Sequence, residues 1–288
     1  MFKFERIDDF FAYARKRYAI KLEKEAGSTH PLTDDPILQR YSFCNVHRED
    51  DKTTRWFRDN VRSKYDWDAE LVTQATFIFR WFNRIETGEV LLKHDLYENW
   101  HPWKCINALR GREPVVTGAY MVKTPKDMSK LDGVVQCIQL AFNEGIPTRV
   151  ALQAGSLEAA HTMFMDAPYV GAFVAYELVT DLRHTRVLRD AHDINTWASP
   201  GPGAARGLDR LCGHPLGTRR YALPSHRANM LLEMQQLLAM SKVEKMWPQS
   251  WPVWELREVE HTLCEYDKYE RLRLGEGKVK GRYKGGER

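Results

Sequence analysis

The sequence contains no uninterrupted apolar run near the roughly 20 residues that a bilayer-spanning helix needs, which excludes a transmembrane protein. Residues 1–18 carry charges throughout and lack the apolar centre of a secretory signal peptide. With 288 residues, the chain is long enough to bury a large core. We therefore expect a folded cytoplasmic protein that does not contact a membrane.

Cysteine is scarce, and its spacing excludes several kinds of metal site. The five cysteines lie far apart, and no pair has the spacing of a zinc ribbon, an iron–sulfur site or a redox motif. An odd number of cysteines in an intracellular chain indicates reduced thiols. The ten histidines form no metal-binding pattern such as HExxH. The sequence therefore predicts no catalytic metal and no cofactor.

An excess of positive charge is absent from most of the chain. The formal net charge is +4, but residues 271–288 alone carry +5, which leaves −1 for residues 1–270. A protein with this distribution that binds nucleic acid does so through local patches, helix ends and the tail. The tail is predicted to be flexible, either as a solubilising end or as a DNA-binding extension.

Strand patterns are almost missing, and helical periodicity dominates. Only PVVTGAYMV (114–122) is β-like, and one strand cannot form a sheet. Ser156 is a predicted helix N-cap, and NEGIP (143–147) predicts a helix that stops at a glycine. The fold class is therefore predicted to be mainly α. Apolar residues at steps of three and four predict helices around 7–18, 71–82, 131–142, 231–241 and 256–266.

A short turn joins two predicted helices near the middle of the chain. SLEAAHTMFM (156–165) is followed by DAPYVG, and the second helix is predicted to begin at about Ala172. Its predicted core-face residues are Val170, Phe173, Val174 and Leu178. Gly171 is predicted to allow a backbone conformation that a side chain would resist. The turn at Tyr169, Val170 and Gly171 then presents free helix N–H groups that attract a phosphate. A plain helical hairpin is the alternative interpretation.

Charged residues follow this hairpin. Arg183, Arg186 and Arg189 precede Asp190 and Asp193, and Asp193 lies 22 residues after the hairpin glycine. SPGPGAARG (199–207) then offers a second glycine-rich helix start. This order resembles the helix-hairpin-helix DNA glycosylase superfamily, in which the hairpin holds the DNA backbone and a later aspartate enters the active-site cleft.

The resemblance to glycosylases implies a fold and a set of roles. It implies two helical lobes with a cleft, formed by about 1–45 plus 186–270 and by 46–185. Asp193 is the implied catalytic residue, with Asp190 as the substitute. The implied contacts to the DNA backbone are the hairpin turn, Arg183, Arg186 and Gly203. No lysine lies between Ala167 and Asp193, so a Schiff-base lyase reaction is not expected.

The segment RYSFCNVHREDDKTTRW (40–56) is the other distinctive stretch. Asn45, His47, Arg48 and Glu49 crowd a turn between apolar residues. One interpretation is a solvated helix start that Asn45 caps. The other is a loop of a base-flipping protein, in which Asn45, His47 or Arg48 fills the gap left by an extruded base.

Five segments together resemble a narrower, phage-associated family related to thymine hypermodification. They are FCNVHREDDKTTRW, GAYMVKTP, APYVGAFVAYELVTDL, INTWASPGPGAARGLDRL and EHTLCEYDKYERL. Members of this family have a glycosylase-like helical fold and occur alone or fused to kinases that act on 5-hydroxymethyluracil in DNA. The resemblance spans roughly residues 35–270 and implies an amino acid:DNA transferase. The P-loop pattern GxxxxGK[ST] is absent, so kinase activity is not expected of this chain.

The implied reaction replaces the phosphate of phosphorylated 5-hydroxymethyluracil with the nitrogen of glycine or serine, once the base has left the duplex stack. An amine must be neutral to attack, so a carboxylate base is needed, and Asp193 is the first candidate. Arg48 and Arg206 are expected to bind the phosphate and the amino-acid carboxylate. Glu49 is expected to hold the incoming ammonium or to orient Arg48, and Lys130 is a candidate phosphate contact.

Two other functions stay open. The first is a monofunctional DNA glycosylase that uses Asp193, and the second is a non-catalytic DNA-binding accessory of a modification complex. The expected partners are double-stranded DNA carrying phosphorylated 5-hydroxymethyluracil, a free amino acid and other modification enzymes. The expected location is the cytoplasm of an infected bacterial host.

Overall fold

The computed structural model describes residues 2–276 of the chain. The fold class is mainly α, as predicted, and no strand occurs within this range. The β-like run at 114–122 is a loop. The helices in chain order are α1 (Ile7–Glu25), α2 (Pro36–Arg40), α3 (Lys52–Phe57), α4 (Ser63–Tyr65), α5 (Ala69–Phe82), α6 (Ile85–Lys93), α7 (Pro102–Leu109), α8 (Lys130–Asn143), α9 (Ile146–Gln153), α10 (Leu157–Met165), α11 (Ala172–Leu182), α12 (Pro202–Leu211), α13 (Pro224–Met240) and α14 (Leu256–Arg273).

Local capping explains where several helices begin and end. The Ser129 side chain accepts a hydrogen bond from the Asp132 N–H and begins α8. That helix ends at Asn143 with Glu144 as its C-cap, and Gly145 follows with a φ of 66°, a backbone conformation that favours glycine. Ser156 accepts a hydrogen bond from the Ala159 N–H at 3.1 Å and caps α10, as predicted.

The described chain divides into two compact units. Unit 1 comprises residues 2–51 and 195–276, and unit 2 comprises Lys52–Ile194. The lobe boundaries predicted from the sequence lie near 45 and 185. Unit 1 contains α1, α2 and α12 to α14, together with a 3₁₀ turn at Arg48–Asp50. Unit 2 contains α3 to α11 and a π-helical segment at Arg58–Arg62 between α3 and α4.

The core of unit 1 includes close packing of α12 on α14. A Cβ atom added to Gly203 would lie 2.3 Å from the Cys264 Sγ, and one added to Gly207 would lie 2.3 Å from the Leu263 backbone oxygen. Both glycines are buried, and their missing side chains allow the two helices to approach closely. Gly203 therefore packs against α14 inside unit 1, and its predicted contact with DNA stays a prediction.

The core of unit 2 surrounds α5, which is apolar on most of its faces. Ten consecutive or near-consecutive residues from Val72 to Phe82 are buried. The charged residue among them is Arg80, whose guanidinium forms an ion pair with Asp181 of α11, with Nη2 to Oδ1 at 2.7 Å. Both side chains are buried, so this pair satisfies two charges that would otherwise be costly to bury.

The C-terminal tail and the absence of a membrane-spanning helix were also predicted from the sequence. The basic tail (271–288) overlaps the last turn of α14 at its start, and residues 277–288 of that prediction lie outside the described residues. Within the described chain, every helix is too short or too polar to cross a bilayer.

Candidate anion-binding site in unit 1

The turn between residues 44 and 51 is organised by Asn45. Its backbone N–H donates to the Asp51 Oδ1 at 2.9 Å, and its side-chain Nδ2 donates to the same oxygen at 3.0 Å. Nδ2 also donates to the Asp50 backbone oxygen at 2.9 Å. These bonds close the turn around the 3₁₀ segment, so Asn45 shapes the loop from within. Its predicted role as a wedge under an extruded base stays a prediction.

The first turns of α14 face the same region. Glu255 and Glu258 form a reciprocal capping box at the start of the helix, with the Glu255 N–H donating to the Glu258 Oε2 at 2.9 Å. The box fixes the direction of the helix and therefore the positions of Arg257 and His261. Neither Nε nor Nη1 of Arg257 hydrogen-bonds to any described residue, although the side chain is 91% buried.

A second arginine reaches the region from α1. Arg17 donates from Nε to the Cys44 backbone oxygen and from Nη2 to the Phe43 backbone oxygen, both at 2.9 Å. Its third nitrogen, Nη1, is buried and has no hydrogen-bond partner among residues 2–276. Arg17 thus holds the chain that leads into the turn and keeps one N–H group for another acceptor.

The positive charges converge on Asp51. Burial raises the pKa of this carboxyl, and the hydrogen bond from Asn45 and the charges of Arg48, Arg17 and Arg257 offset that effect only in part. Arg48 is itself buried on the 3₁₀ turn. Three buried guanidinium groups therefore act on the Asp51 carboxyl in unit 1. A concentration of guanidinium groups of this kind attracts an anion.

The histidines of the region are held neutral by their surroundings. His47 packs edge-on against Tyr18 and Trp247, with ring centroids 5.8 and 6.1 Å away. Burial, with a contribution from nearby Lys21 and Arg257, lowers the pKa of His47 to about 4. The pKa of His261 is likewise well below its usual value, chiefly because of burial. Neutral imidazoles add no positive charge to the arginine set.

A narrow recess lies beside Arg17, Asn45 and His261. It is too tight to hold a water molecule. Cys44 borders the recess. The residue as a whole is exposed, but its thiol points inward, and burial raises the pKa of the thiol well above the usual range. The residues that line the recess are Tyr13, Arg17, Cys44, Asn45, Val46, His261, Thr262 and Glu265.

Asp193, the predicted catalytic residue, has a structural position in unit 2. Its Oδ1 accepts a hydrogen bond from the Leu157 N–H at 2.8 Å, and its Oδ2 accepts one from the Glu158 N–H at 3.0 Å. The side chain is 6% exposed. The carboxylate therefore accepts hydrogen bonds from the first turn of α10, and its predicted role as the catalytic base stays a prediction. Asp190 is exposed at the same corner.

The hairpin before α11 differs from the prediction in its details. Gly171 has φ −96° and ψ 173°, which any residue adopts, and a Cβ added there would meet nothing within 4 Å. The left-handed backbone falls instead on Tyr169, with φ 66°. Phe173 was predicted to face the core but is 55% exposed, whereas Val170 and Leu178 are buried as predicted. The turn thus exposes Tyr169, Gly171 and Phe173 beside the start of α11.

The remaining predicted site residues have partners within their own units. Arg206 donates from Nε to the Asp267 Oδ2 at 2.8 Å, and Glu49 is half-buried on the 3₁₀ turn. Arg186 donates from its backbone to Asp66, and Arg183 donates to the Arg189 backbone oxygen at 3.2 Å. Lys130 donates from Nζ to the Val122 backbone oxygen at 2.9 Å. Their predicted roles in binding DNA or substrate stay predictions.

Sequence reasoning missed Arg17, Arg257 and His261. Arg17 lies among the polar residues of an ordinary amphipathic helix, and Arg257 follows a tryptophan-rich segment without any motif. Only the string EHTLCEYD, which includes His261, was distinctive. Unit 1 is built from two separate parts of the chain, and its fold brings these residues close to the 44–51 turn. No local sequence pattern predicts that contact.

Comparison with known proteins assigns the chain to a family. No solved structure matches it. The 5-hmdU DNA kinase of Bacillus phage SP10 is 30% identical over 209 residues, which are 64% of this chain and 32% of that protein. The matched part is thus about a third of the length of this relative. The family described as 5-hmdU DNA kinase, helical domain, matches residues 5–279. From this match over nearly its whole length, the chain belongs to the family of the 5-hmdU DNA kinase helical domain.

Proposed function

We propose that the protein is a phage DNA-modifying transferase that attaches an amino acid to phosphorylated 5-hydroxymethyluracil in DNA and displaces the phosphate. Membership in the kinase-associated helical family supports a role in the modification of 5-hydroxymethyluracil. The observation that carries the transferase proposal is the set of buried guanidinium groups of Arg17, Arg48 and Arg257 in unit 1. A leaving phosphate and an amino-acid carboxylate are both anions that such groups bind.

The proposed step is a substitution at the methylene carbon attached to the base. The neutral amine attacks this carbon, a C–N bond forms, and the C–O bond breaks with its electron pair leaving on the phosphate. A carboxylate takes the proton that the amine loses. Glu49 is the proposed base because it lies next to Arg48 on the 3₁₀ turn, in the same unit as the three arginines.

The unpartnered nitrogens of Arg257 support a role in binding rather than in folding. Buried guanidinium nitrogens without hydrogen bonds destabilise a protein, since their desolvation is not offset. The same N–H groups are available to an anionic ligand at no cost in internal bonds. Arg257 is therefore the residue proposed to hold the phosphate or carboxylate oxygen.

DNA contact is proposed for the hairpin of unit 2. The exposed residues Tyr169, Gly171 and Phe173 border the first turn of α11, which no side chain caps. Its free N–H groups suit a backbone phosphate, and the two exposed rings suit stacking on a base.

The proposal is tested with DNA that contains 5-phosphomethyl-deoxyuridine and a pool of amino acids. After incubation, the DNA is digested to nucleosides and analysed by mass spectrometry. An amino-acid adduct together with free phosphate is the expected result. A released base would indicate a glycosylase, and unchanged DNA would indicate a non-catalytic accessory. Either of these two outcomes overturns the transferase proposal.

A further inference from the structure

Three side chains of unit 1 bring a sulfur, an oxygen and a nitrogen to one point. Cys44, Asp51 and His261 each offer one ligand atom, and these three atoms lie within 4.8 Å of one another. The residues come from the end of an extended segment, the end of the 3₁₀ turn and the second turn of α14. The convergence of chain positions 44, 51 and 261 is a product of the tertiary fold.

Hydrogen bonds orient two of these side chains. The Asn45 backbone oxygen accepts a hydrogen bond from the His261 imidazole. Because Nε2 of His261 is buried and has no partner in the described chain, the donor to Asn45 is Nδ1. A histidine whose Nδ1–H is held by a backbone carbonyl presents Nε2 as a ligand, which is the usual arrangement around protein-bound metals.

Asp51 is oriented in the same way by the same residue. Both hydrogen bonds from Asn45 end on Oδ1, at 2.9 and 3.0 Å, which leaves Oδ2 as the ligand oxygen. Asn45 thus fixes Asp51 through its N–H groups and His261 through its carbonyl. One residue supplies the outer hydrogen bonds of two ligands, as in metal sites whose ligands are preoriented.

We infer that Cys44, Asp51 and His261 form a binding site for a zinc-like divalent transition metal ion. Mixed thiolate, imidazole and carboxylate ligands suit zinc, whereas calcium and magnesium prefer oxygen alone. Tetrahedral bonds of 2.0–2.3 Å place ligand atoms about 3.3–3.8 Å apart, so small side-chain shifts bring the three atoms to that spacing.

The charges of the cluster agree with this inference. The thiolate and the carboxylate together carry a charge of −2, which equals in size the +2 charge of the ion. Three protein ligands are also the number found in zinc sites that keep one coordination position open. The inference goes beyond the proposed function and does not depend on it.

The test measures metal binding to the full chain in the absence of DNA. The protein is treated with a chelator, dialysed and titrated with Co²⁺ and then Zn²⁺. One ion per chain is expected, with a sulfur-to-cobalt charge-transfer band and the intense d–d bands of a tetrahedral complex. Zn²⁺ is expected to displace Co²⁺. A chain that keeps no ion after dialysis against Zn²⁺ would refute the inference.

Variants identify the ligands. Cys44→Ser is expected to abolish the charge-transfer band, and His261→Gln to weaken Zn²⁺ binding by more than about 100-fold. Asn45→Ala is expected to weaken binding by about 10-fold while the charge-transfer band persists, because it loses only an outer hydrogen bond. Cys264→Ser, one turn along α14 from His261, is the matched control and leaves binding unchanged.

The control outcomes also separate this inference from the transferase proposal. If binding and the charge-transfer band survive Cys44→Ser, the ion is held elsewhere and the inference is wrong. Circular dichroism shows whether each variant is folded. If a variant is unfolded, the metal titration of the wild-type protein alone tests the inference. Adduct formation on DNA is measured separately, so either proposal fails without the other.

Discussion

At the scale of single residues, a substitution of Asp193 separates a structural role from a catalytic one. Asp193→Asn leaves one acceptor oxygen where two backbone N–H groups now bind. We expect the free energy of unfolding to fall by about 1–2 kcal/mol, because a buried N–H of α10 loses its partner. Chemical denaturation measures this change.

Asp190→Asn is the matched control for that experiment, since the exposed Asp190 lies at the same corner of unit 2. It is expected to leave stability unchanged. If Asp193→Asn abolishes DNA modification while its stability equals that of the wild type, the structural assignment is wrong and the catalytic prediction is restored.

Arg257 carries the opposite expectation. Arg257→Met removes a buried charge whose Nε and Nη1 have no described partner, so stability is expected to be unchanged or higher by about 1 kcal/mol. Adduct formation is expected to fall at least about 10-fold through a higher KM for the anionic substrate. Denaturation curves and initial rates measure the two effects.

Arg206→Met serves as the control for Arg257→Met, because Arg206 pairs with the buried Asp267. Its loss is expected to destabilise unit 1, since it removes one of the two arginines that pair with this carboxylate. If Arg257→Met is instead strongly destabilising and keeps full activity, Arg257 has a folding role and the anion-binding assignment fails.

At the scale of elements, glycines that look alike in the sequence have different tolerances. Gly207→Ala would place a Cβ 2.3 Å from the Leu263 backbone oxygen, so α12 and α14 must move apart. We expect a loss of about 1–3 kcal/mol in the free energy of unfolding. Gly171→Ala meets open space at an ordinary φ and is expected to cost less than about 1 kcal/mol. Thermal unfolding of the two variants tests the ranking, and the reverse order would contradict it.

The helices themselves follow from local physics, and the sequence predicts them well. Periodic apolar residues and the capping group of Ser156 mark α8 and α10, because both signals act within a few residues. The hairpin was less predictable. The sequence predicts an unusual backbone conformation at Gly171, whereas the structure has the left-handed conformation at Tyr169. A residue other than glycine keeps a left-handed backbone only when tertiary contacts stabilise it. Those contacts cannot be predicted from the neighbouring sequence.

The candidate site escapes sequence analysis for a different reason. Asn45 and Arg48 belong to a conspicuous polar turn, but their partners Arg17, Arg257 and His261 lie elsewhere in the chain. Metal motifs are recognised by short spacings, and the cluster of Cys44, Asp51 and His261 has none. The prediction that the chain has no catalytic metal rests on the absence of local motifs. The metal titration of the Cys44, Asp51 and His261 cluster tests whether a site without such a motif exists.

At the scale of the whole molecule, buried neutral histidines couple stability to pH. The pKa of His47 is about 4 in the folded protein and 6.5 in an unfolded chain. Between these values the unfolded state binds more protons, so stability rises with pH and is lost as pH falls from about 6.5 towards 4. His47 contributes at most about 3 kcal/mol to this change. His261, whose pKa is also lowered, contributes with the same sign.

His47→Gln isolates the contribution of one residue to that dependence. Denaturation is measured from pH 8 to pH 4 in the presence of a chelator, so that metal binding does not add to the slope. The variant is expected to lose packing against Tyr18 and Trp247, which lowers its curve at every pH. Its slope below pH 6.5 is expected to be shallower than that of the wild type, while the slope due to His261 persists. Parallel curves would mean that His47 is protonated in the folded protein at the same pH as in the unfolded chain. The edge-on contacts with the two aromatic rings would then fail to keep solvent from the imidazole.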